Sequence, residues 1–262
     1  MRNPQQGVLC AGCPHRAAYV AIKEATRRIR GRVICGNIGC AAVGHVHPAA
    51  ATCPGGMEKL LPRYIQDVPS GAPEEPAAPL CVHIVLDTDF AADDAAANLT
   101  GLAGEGTSTI LAVMASSWDH LERAAIERLG AKTLEVGAED AAVLDPFDIE
   151  RTVEVLREQA ATPGVHAAIF ASPCAQLQRP AALEPVEVDR YMCVGCHRCF
   201  QITACPALAF KPPAYEVDAD ACAGCDLCCG FCPNQVIYTP RARLSIEERA
   251  AARYEAARQA RD

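Results

Sequence analysis

Aromatic side chains are scarce in this 262-residue chain, at 5% of residues with a single tryptophan. No apolar run is long enough to span a bilayer, so membrane insertion is not expected. Nothing at Met1-Arg2-Asn3-Pro4 resembles a signal peptide, and a cytoplasmic location is the expectation. Excess positive charge is also missing. A net charge of −8 and a pI near 5.4 argue against nucleic acid or an anionic membrane face as a partner. Half of the residues are hydrophobic, enough for one sizeable core plus a smaller module. What the chain has in quantity is cysteine, sixteen in all. In a small secreted protein such a number would suggest disulfides. Here the lack of an export signal and the spacing of the thiols point to a reducing compartment and to metal ligation.

The densest stretch runs from Cys193 to Pro233. It reads Cys193-x2-Cys196-x2-Cys199-x5-Cys205-Pro206, then Cys222-x2-Cys225-x2-Cys228-x3-Cys232-Pro233. This is the pattern of bacterial proteins that hold two 4Fe-4S clusters, in which the fourth cysteine of each run serves the other cluster. The expected sets are therefore Cys193, Cys196, Cys199 and Cys232 for one cluster, and Cys205, Cys222, Cys225 and Cys228 for the other. Glu187-Val188-Asp189 before the first run returns as Glu216-Val217-Asp218 before the second, in the same register. A duplicated unit too small to bury its own core is what a cluster-stapled module looks like. Paired Cys-x2-Cys motifs also bind zinc, but three thiols at x2-x2 spacing, twice closed by Cys-Pro, suit an iron–sulfur cube better than one tetrahedral ion. Such clusters are oxygen-sensitive as a rule, which suggests an anaerobic setting.

Elsewhere the chain alternates. Pro14 opens a helix with an apolar face at Ala17, Ala18, Ala21, Ile22 and Ala25. A short strand at Arg32–Cys35 follows, then a loop-rich stretch from His45 to Tyr64 and a Pro/Gly/Glu connector from Asp67 to Pro79. Strands are expected at Cys81–Leu86, Thr109–Met114, Lys132–Val136 and His166–Ala171. Helices are expected between them at Ala91–Ala103, Trp118–Leu129 and Ile149–Ala160. Such alternation predicts an α/β fold, a parallel sheet with helices on both faces, with functional loops beyond the carboxyl ends of the strands. Cys40 and Cys174 both lie just past a strand and could meet at that edge. The expected division is 1–180 for the α/β domain, 186–240 for the two-cluster module and 241–262 for a helical tail, whose capping box is Ser245 to Glu248.

Three motifs carry a resemblance to a known family: Cys10-Ala11-Gly12-Cys13-Pro14-His15-Arg16; Gly36-Asn37-Ile38-Gly39-Cys40; and Asp145-Pro146-Phe147 leading to Ser172-Pro173-Cys174. Together they resemble the thiamine-diphosphate-binding domain of the 2-oxoacid:ferredoxin oxidoreductases. The order of that domain before a ferredoxin-like module resembles the carboxyl-terminal half of the indolepyruvate:ferredoxin oxidoreductase alpha subunit. The resemblance implies a third 4Fe-4S cluster on Cys10, Cys13, Cys40 and Cys174. Without it, Cys10 and Cys13 would read as a redox Cys-x2-Cys beside two unrelated thiols. Cys35, Cys53, Cys81 and Cys229 are left over. Cys81 reads as a buried apolar residue and Cys229 as packing beside a cluster.

The chain also departs from the family. Proteins of this type hold thiamine diphosphate through Mg²⁺, which demands hard oxygen ligands, with a Gly-Asp-Gly/Ser start and an Asn or Asp one strand later. Here the first element reads Leu86-Asp87-Thr88, and no Asp or Asn occurs anywhere in Thr107–Trp118. The Met-Gly element is rearranged to Cys53-Pro54-Gly55-Gly56-Met57. Asp89, Asp93 and Asp94 read as a solvated helix start. His15 belongs to the Cys-Pro-His-Arg motif and reads as hydrogen-bonding near the cluster or packing at the helix start. His45 and His47 are loop residues open to cofactor contact or to solvent. Neither thiamine diphosphate nor Mg²⁺ is therefore expected, and no catalytic residue is assigned. The expected function is electron transfer through three 4Fe-4S clusters in a multi-subunit oxidoreductase, with the other subunits, and a ferredoxin, as candidate partners. Two other readings stand beside it: a thiamine-dependent catalytic subunit acting on an aryl-pyruvate-like 2-oxoacid and completed by a partner chain, and a non-enzymic iron–sulfur assembly or sensor protein.

Overall fold

A computed structural model describes residues 9–30, 32–36, 53–54, 80–91, 108–177 and 183–261. Its larger body is a six-stranded sheet in the order β2-β1-β3-β4-β6-β5, with every neighbouring pair parallel. The strands are β1 (Val33–Gly36), β2 (Cys53–Pro54), β3 (Leu80–Leu86), β4 (Ser108–Ala115), β5 (Asp140–Leu144) and β6 (Gly164–Ala171). The expected α/β class is what the structure has. The central strand β4, Ser-Thr-Ile-Leu-Ala-Val-Met-Ala, is buried along its whole length, as a near-continuous apolar strand between two covered faces must be.

Alternation along the strands divides two cores. Leu80, Val82, Ile84, Ile110, Ala112, Met114, Ala168 and Phe170 face α1 (Pro14–Thr26) and the later helix Ile149–Ala161. Cys81, Val85, Leu111, Val113, Ala167 and Ile169 face the opposite side, against Phe90 and Leu129. Cys81 is buried there, as its place in the strand suggested. Phe90 comes from the short helix α2 (Asp87–Ala91) and Leu129 from α3 (Arg123–Glu135). The helix at Ile149–Ala161 is α4, capped by Asp148, whose side chain accepts from the Arg151 N–H.

One stretch differs from expectation. Lys132–Val136 is not a strand: α3 runs through Glu135, and the strand is β5, further on. Lys-Thr-Leu-Glu-Val alternates, but Ala125, Leu129 and Thr133 are buried at a four-residue spacing, so a helical face wins. Gly137 ends the helix at φ 103°, with Gly137 N–H on Leu134 O and Ala138 N–H on Thr133 O, the paired bonds of a Schellman terminus. Correspondingly, the helix expected to open at Trp118 begins at Arg123, after a 3₁₀ turn at Trp118–His120. The helix expected at Ala91–Ala103 lies, past Ala91, outside the described residues, as do nearly all of His45–Tyr64 and all of Asp67–Pro79.

The cysteine-rich stretch folds as two repeats. β7 (Glu187–Val188) pairs antiparallel with β10 (Ile237–Tyr238), and β8 (Leu208–Lys211) with β9 (Ala214–Val217). Each repeat opens with the same device. Asp189 Oδ1 accepts from Tyr191 and Met192 N–H while its carbonyl accepts from Cys193 N–H at 2.9 Å. Asp218 Oδ1 accepts from Asp220 and Ala221 N–H while its carbonyl accepts from Cys222 N–H, also at 2.9 Å. Gly195 and Gly224 share φ values of 61° and 62°, and His197 and Asp226 both sit at 62°. The two extra residues between Cys199 and Cys205 are accommodated by α5 (Arg198–Thr203), where the second repeat has only a 3₁₀ turn at Cys229–Phe231. The tail is α6 (Ile246–Arg261). Its capping box is formed as expected: Ser245 N–H donates to Glu248 Oε2 at 2.7 Å and Glu248 N–H to Ser245 Oγ at 3.2 Å.

Candidate metal centres

Cys193, Cys196, Cys199 and Cys232 line one recess. Cys205, Cys222, Cys225 and Cys228 line another. The fourth cysteine of each run thus stands with the first three of the other, because antiparallel pairing returns each repeat against its twin. Burial pushes the Cys199 thiol up to about 11 and the Cys225 thiol up to about 12. Burial also raises Cys205, against which the charge of Arg16 acts. Thiols of this kind ionise only when a cation takes their proton's place. Among the described residues, no three His, Cys, Asp or Glu side chains converge closely enough for a single metal ion. The four thiols of each set surround a space instead.

The amino-terminal motif is placed against this module. Cys13 sits at the cap of α1, with Cys13 N–H on Cys10 O at 3.2 Å. Cys174 follows β6, and its N–H donates to Ser116 O at 3.0 Å. Gln176 Nε2 lies 3.1 Å from Cys10 Sγ, so the segment after β6 meets the Cys10–Cys13 loop. Gly12, at φ 72°, allows a closer approach on the other side: a Cβ there would stand 2.3 Å from Ala223 Cβ. Cys40, His45, His47, Asp93 and Asp94 lie outside the described residues, as do the side chains of Cys35 and Cys53. Cys229 is half-buried beside Cys228.

At the carboxyl ends of β3 and β4 the side chains are closely committed. Asp87 is 3% exposed, and its Oδ2 accepts from Ser116 N–H and Ser117 N–H at 2.9 Å each and from Ser117 Oγ at 2.7 Å. His120 Nδ1 adds a contact at 3.2 Å, and Thr88 N–H donates to Oδ1. Ser116 Oγ is 2.9 Å from His15 Nε2. Burial lowers the His15 pKa to about 4 despite the opposing charge of Asp87, so this imidazole is neutral at neutral pH. Asp89 is exposed at the start of α2. Ser116, Ser117 and His120 carry no sequence motif, and only the pairing of β3 with β4 brings them to Asp87.

The fold and the thiol constellation define an α/β protein with an appended cysteine-rich repeat. No family model matches the chain. It is 26% identical over 256 residues to the indolepyruvate oxidoreductase subunit IorA of Archaeoglobus fulgidus, covering 89% of this chain and 40% of that one. The IorA subunit of Methanothermobacter thermautotrophicus is 24% identical over 87% of this chain and 39% of its own length. That of Pyrococcus horikoshii is 35% identical over a shorter stretch, 37% of this chain and 16% of the relative. The chain is thus similar to the indolepyruvate oxidoreductase IorA subunits, as its motifs suggested. It spans about two fifths of the length of the curated relatives that it matches most fully.

Proposed function

We propose that this chain is an iron–sulfur subunit that carries electrons within an oxidoreductase related to the indolepyruvate oxidoreductases, and that it does so without bound thiamine diphosphate. The observation that carries the reading is the sorting of eight cysteines into two recesses, four to each, across the two runs. Thiolates spread around a space suit a cube of iron and sulfide, and the donor set is wholly sulfur. When bound there, 4Fe-4S clusters supply one-electron transfer. The chain's own part is to hold the thiolates, shield them from water and leave one edge open. Cys196 is exposed, and Tyr191, Met192 and Val194 beside it are exposed too, so the Cys193 recess is open to a partner such as another subunit or a ferredoxin.

A third cluster is proposed on Cys10, Cys13, Cys40 and Cys174. Its support is the meeting of the Cys10–Cys13 loop with the segment after β6. Two residues beyond Cys13 and two before Cys174, His15 Nδ1 and Ser172 Oγ are buried without a hydrogen-bond partner among the described residues. Polar atoms so placed need an acceptor or a donor nearby, and cluster sulfur is one. By contrast, the residues do not fit Mg²⁺ and thiamine diphosphate. Leu86 replaces a glycine, and the Asp87 carboxylate already accepts from the backbone N–H groups of Ser116 and Ser117. The similarity to IorA subunits favours a second reading, a catalytic subunit completed by a partner chain. Iron and sulfide analysis of anaerobically prepared chain tests the first: about twelve iron atoms are expected from three clusters. A value near eight removes the amino-terminal site, and a chain that binds zinc instead overturns the proposal.

A further inference from the structure

Three arginines are buried in the described structure, Arg16, Arg241 and Arg253, at 1%, 5% and 3% exposure. Two of them have a carboxylate. Arg241 pairs with Asp226 at 2.6 Å, and Arg253 pairs with Asp145 at 2.5 Å. Arg16 has none among the described residues. Its guanidinium spends its donors on carbonyls: Nη1 on Thr203 O and, at 2.7 Å, on Ala204 O; Nη2 on Leu9 O; and Nε on Cys10 O at 3.2 Å. A guanidinium stays charged under all ordinary conditions, and burying it unpaired is unfavourable. Among the described residues, then, no carboxylate neutralises its charge.

The position of Arg16 supplies the candidate. It lines the recess of Cys205, Cys222, Cys225 and Cys228, together with Ala11 and Gly12 from the Cys10–Cys13 loop. Its four acceptors are carbonyls at or within two residues of two proposed ligands, Leu9 and Cys10 on one side, Thr203 and Ala204 before Cys205 on the other. Ala204 ends α5 in the left-handed region at φ 43°, a conformation that an alanine holds only when its surroundings fix it. Arg16 is bound to that carbonyl and to the one before it.

We propose that Arg16 is a positioning residue shared by two neighbouring iron–sulfur sites. It clamps the chain segments that deliver Cys10 and Cys205, and its charge is offset by the thiolate-ligated cluster beside it. The inference rests on the cluster reading above. Each electron that the Cys205 cluster takes up adds a negative charge next to the guanidinium, so Arg16 raises that site's reduction potential.

The test is a dithionite redox titration, followed by electron paramagnetic resonance, of anaerobic full-length chain carrying Arg16, Arg16→Lys or Arg16→Met, with iron counted in each. In Arg16→Met, the ratio of reduced to oxidised cluster at the wild-type midpoint should fall at least tenfold for one cluster, a drop of 59 mV for a one-electron couple. Arg16→Lys should stay within threefold of wild type. Iron-replete Arg16→Met with unchanged potentials overturns the proposal, as does a lysine variant shifted as far as the methionine one. If Arg16→Met sheds iron, loss confined to the Cys10 and Cys205 sites, leaving about four atoms, supports the clamp. Loss from every site overturns it. A wild-type chain with no four-iron signal marks failure of the cluster reading itself, and the proposal goes with it.

Discussion

Asp87 shows how one buried carboxylate can tie two strand ends together. Through one oxygen it accepts from two backbone N–H groups and a hydroxyl, which ties the end of β3 to the turn after β4. From that turn, Ser116 reaches His15 through its hydroxyl and Cys174 through its carbonyl. The carboxylate therefore supports the two segments that carry Cys13 and Cys174. Asp87→Asn keeps one oxygen but sets an amide against a donor, so unfolding stability should fall by about 1–3 kcal/mol, read by urea denaturation of the anaerobic chain. Unchanged stability would mean that the bonds are dispensable. Cysteine behaves more simply. Cys232→Ser should remove iron from the Cys193 set and Cys205→Ser from the Cys222 set, visible as anomalous iron density around the remaining cube. Finding Cys232 on the same cube as Cys222 would defeat the crossed arrangement. The grouping of these thiols into two recesses was legible in the sequence because their spacing is regular. Ser116, Ser117 and Arg16 were not, because their roles depend on which strand or loop lies next to them.

At the scale of elements, β3, β4, β6, α1 and α4 were legible because their apolar periodicity agrees with their burial on one face or two. The failure at α3 and β5 has a local cause. A strand-like alternation at Lys132–Val136 was outweighed by the helical stripe of Ala125, Leu129 and Thr133, and the mark of the true boundary was Gly137. Gly137 holds φ 103°, which an L side chain adopts only at a cost. Gly137→Ala should destabilise the fold by about 1–2 kcal/mol while leaving iron content unchanged, since α3 lies across the sheet from α1 and its cysteines. Iron loss in that variant would show that the two faces are coupled. The duplication before each cysteine run was equally readable. What it could not convey was that each Asp side chain organises the turn ahead of the first cysteine.

For the whole molecule, the question is what the sheet holds at its edge. The carboxyl ends of its strands, where ligands of such folds bind, carry Asp87, Ser116, Ser117 and the approach to Cys174. Among the described residues, the bonds from Ser116 and Ser117 to Asp87, and from Cys174 to Ser116, tie one segment of the chain to another. A Mg²⁺ ion at Asp87 would have to displace the Ser116 and Ser117 N–H groups, leaving buried donors unpaired, and the diphosphate would meet Leu86 where backbone approach is needed. Together these should cost about 3–5 kcal/mol, which weakens a micromolar site by two to nearly four orders of magnitude. A partner chain that completed the other half of the site would not recover this, because the anchor belongs to these strands. Calorimetric titration of the purified chain, and of any complex that co-purifies with it, with Mg²⁺ and thiamine diphosphate should therefore give no saturable heat in the micromolar range. One-to-one micromolar binding abolished by Asp87→Ala would reverse the reading and make this the catalytic half of an indolepyruvate-type site. Binding unaffected by Asp87→Ala would place the cofactor on another chain of the complex, leaving this sheet as the frame that holds Cys10, Cys13 and Cys174 against the cysteine repeat.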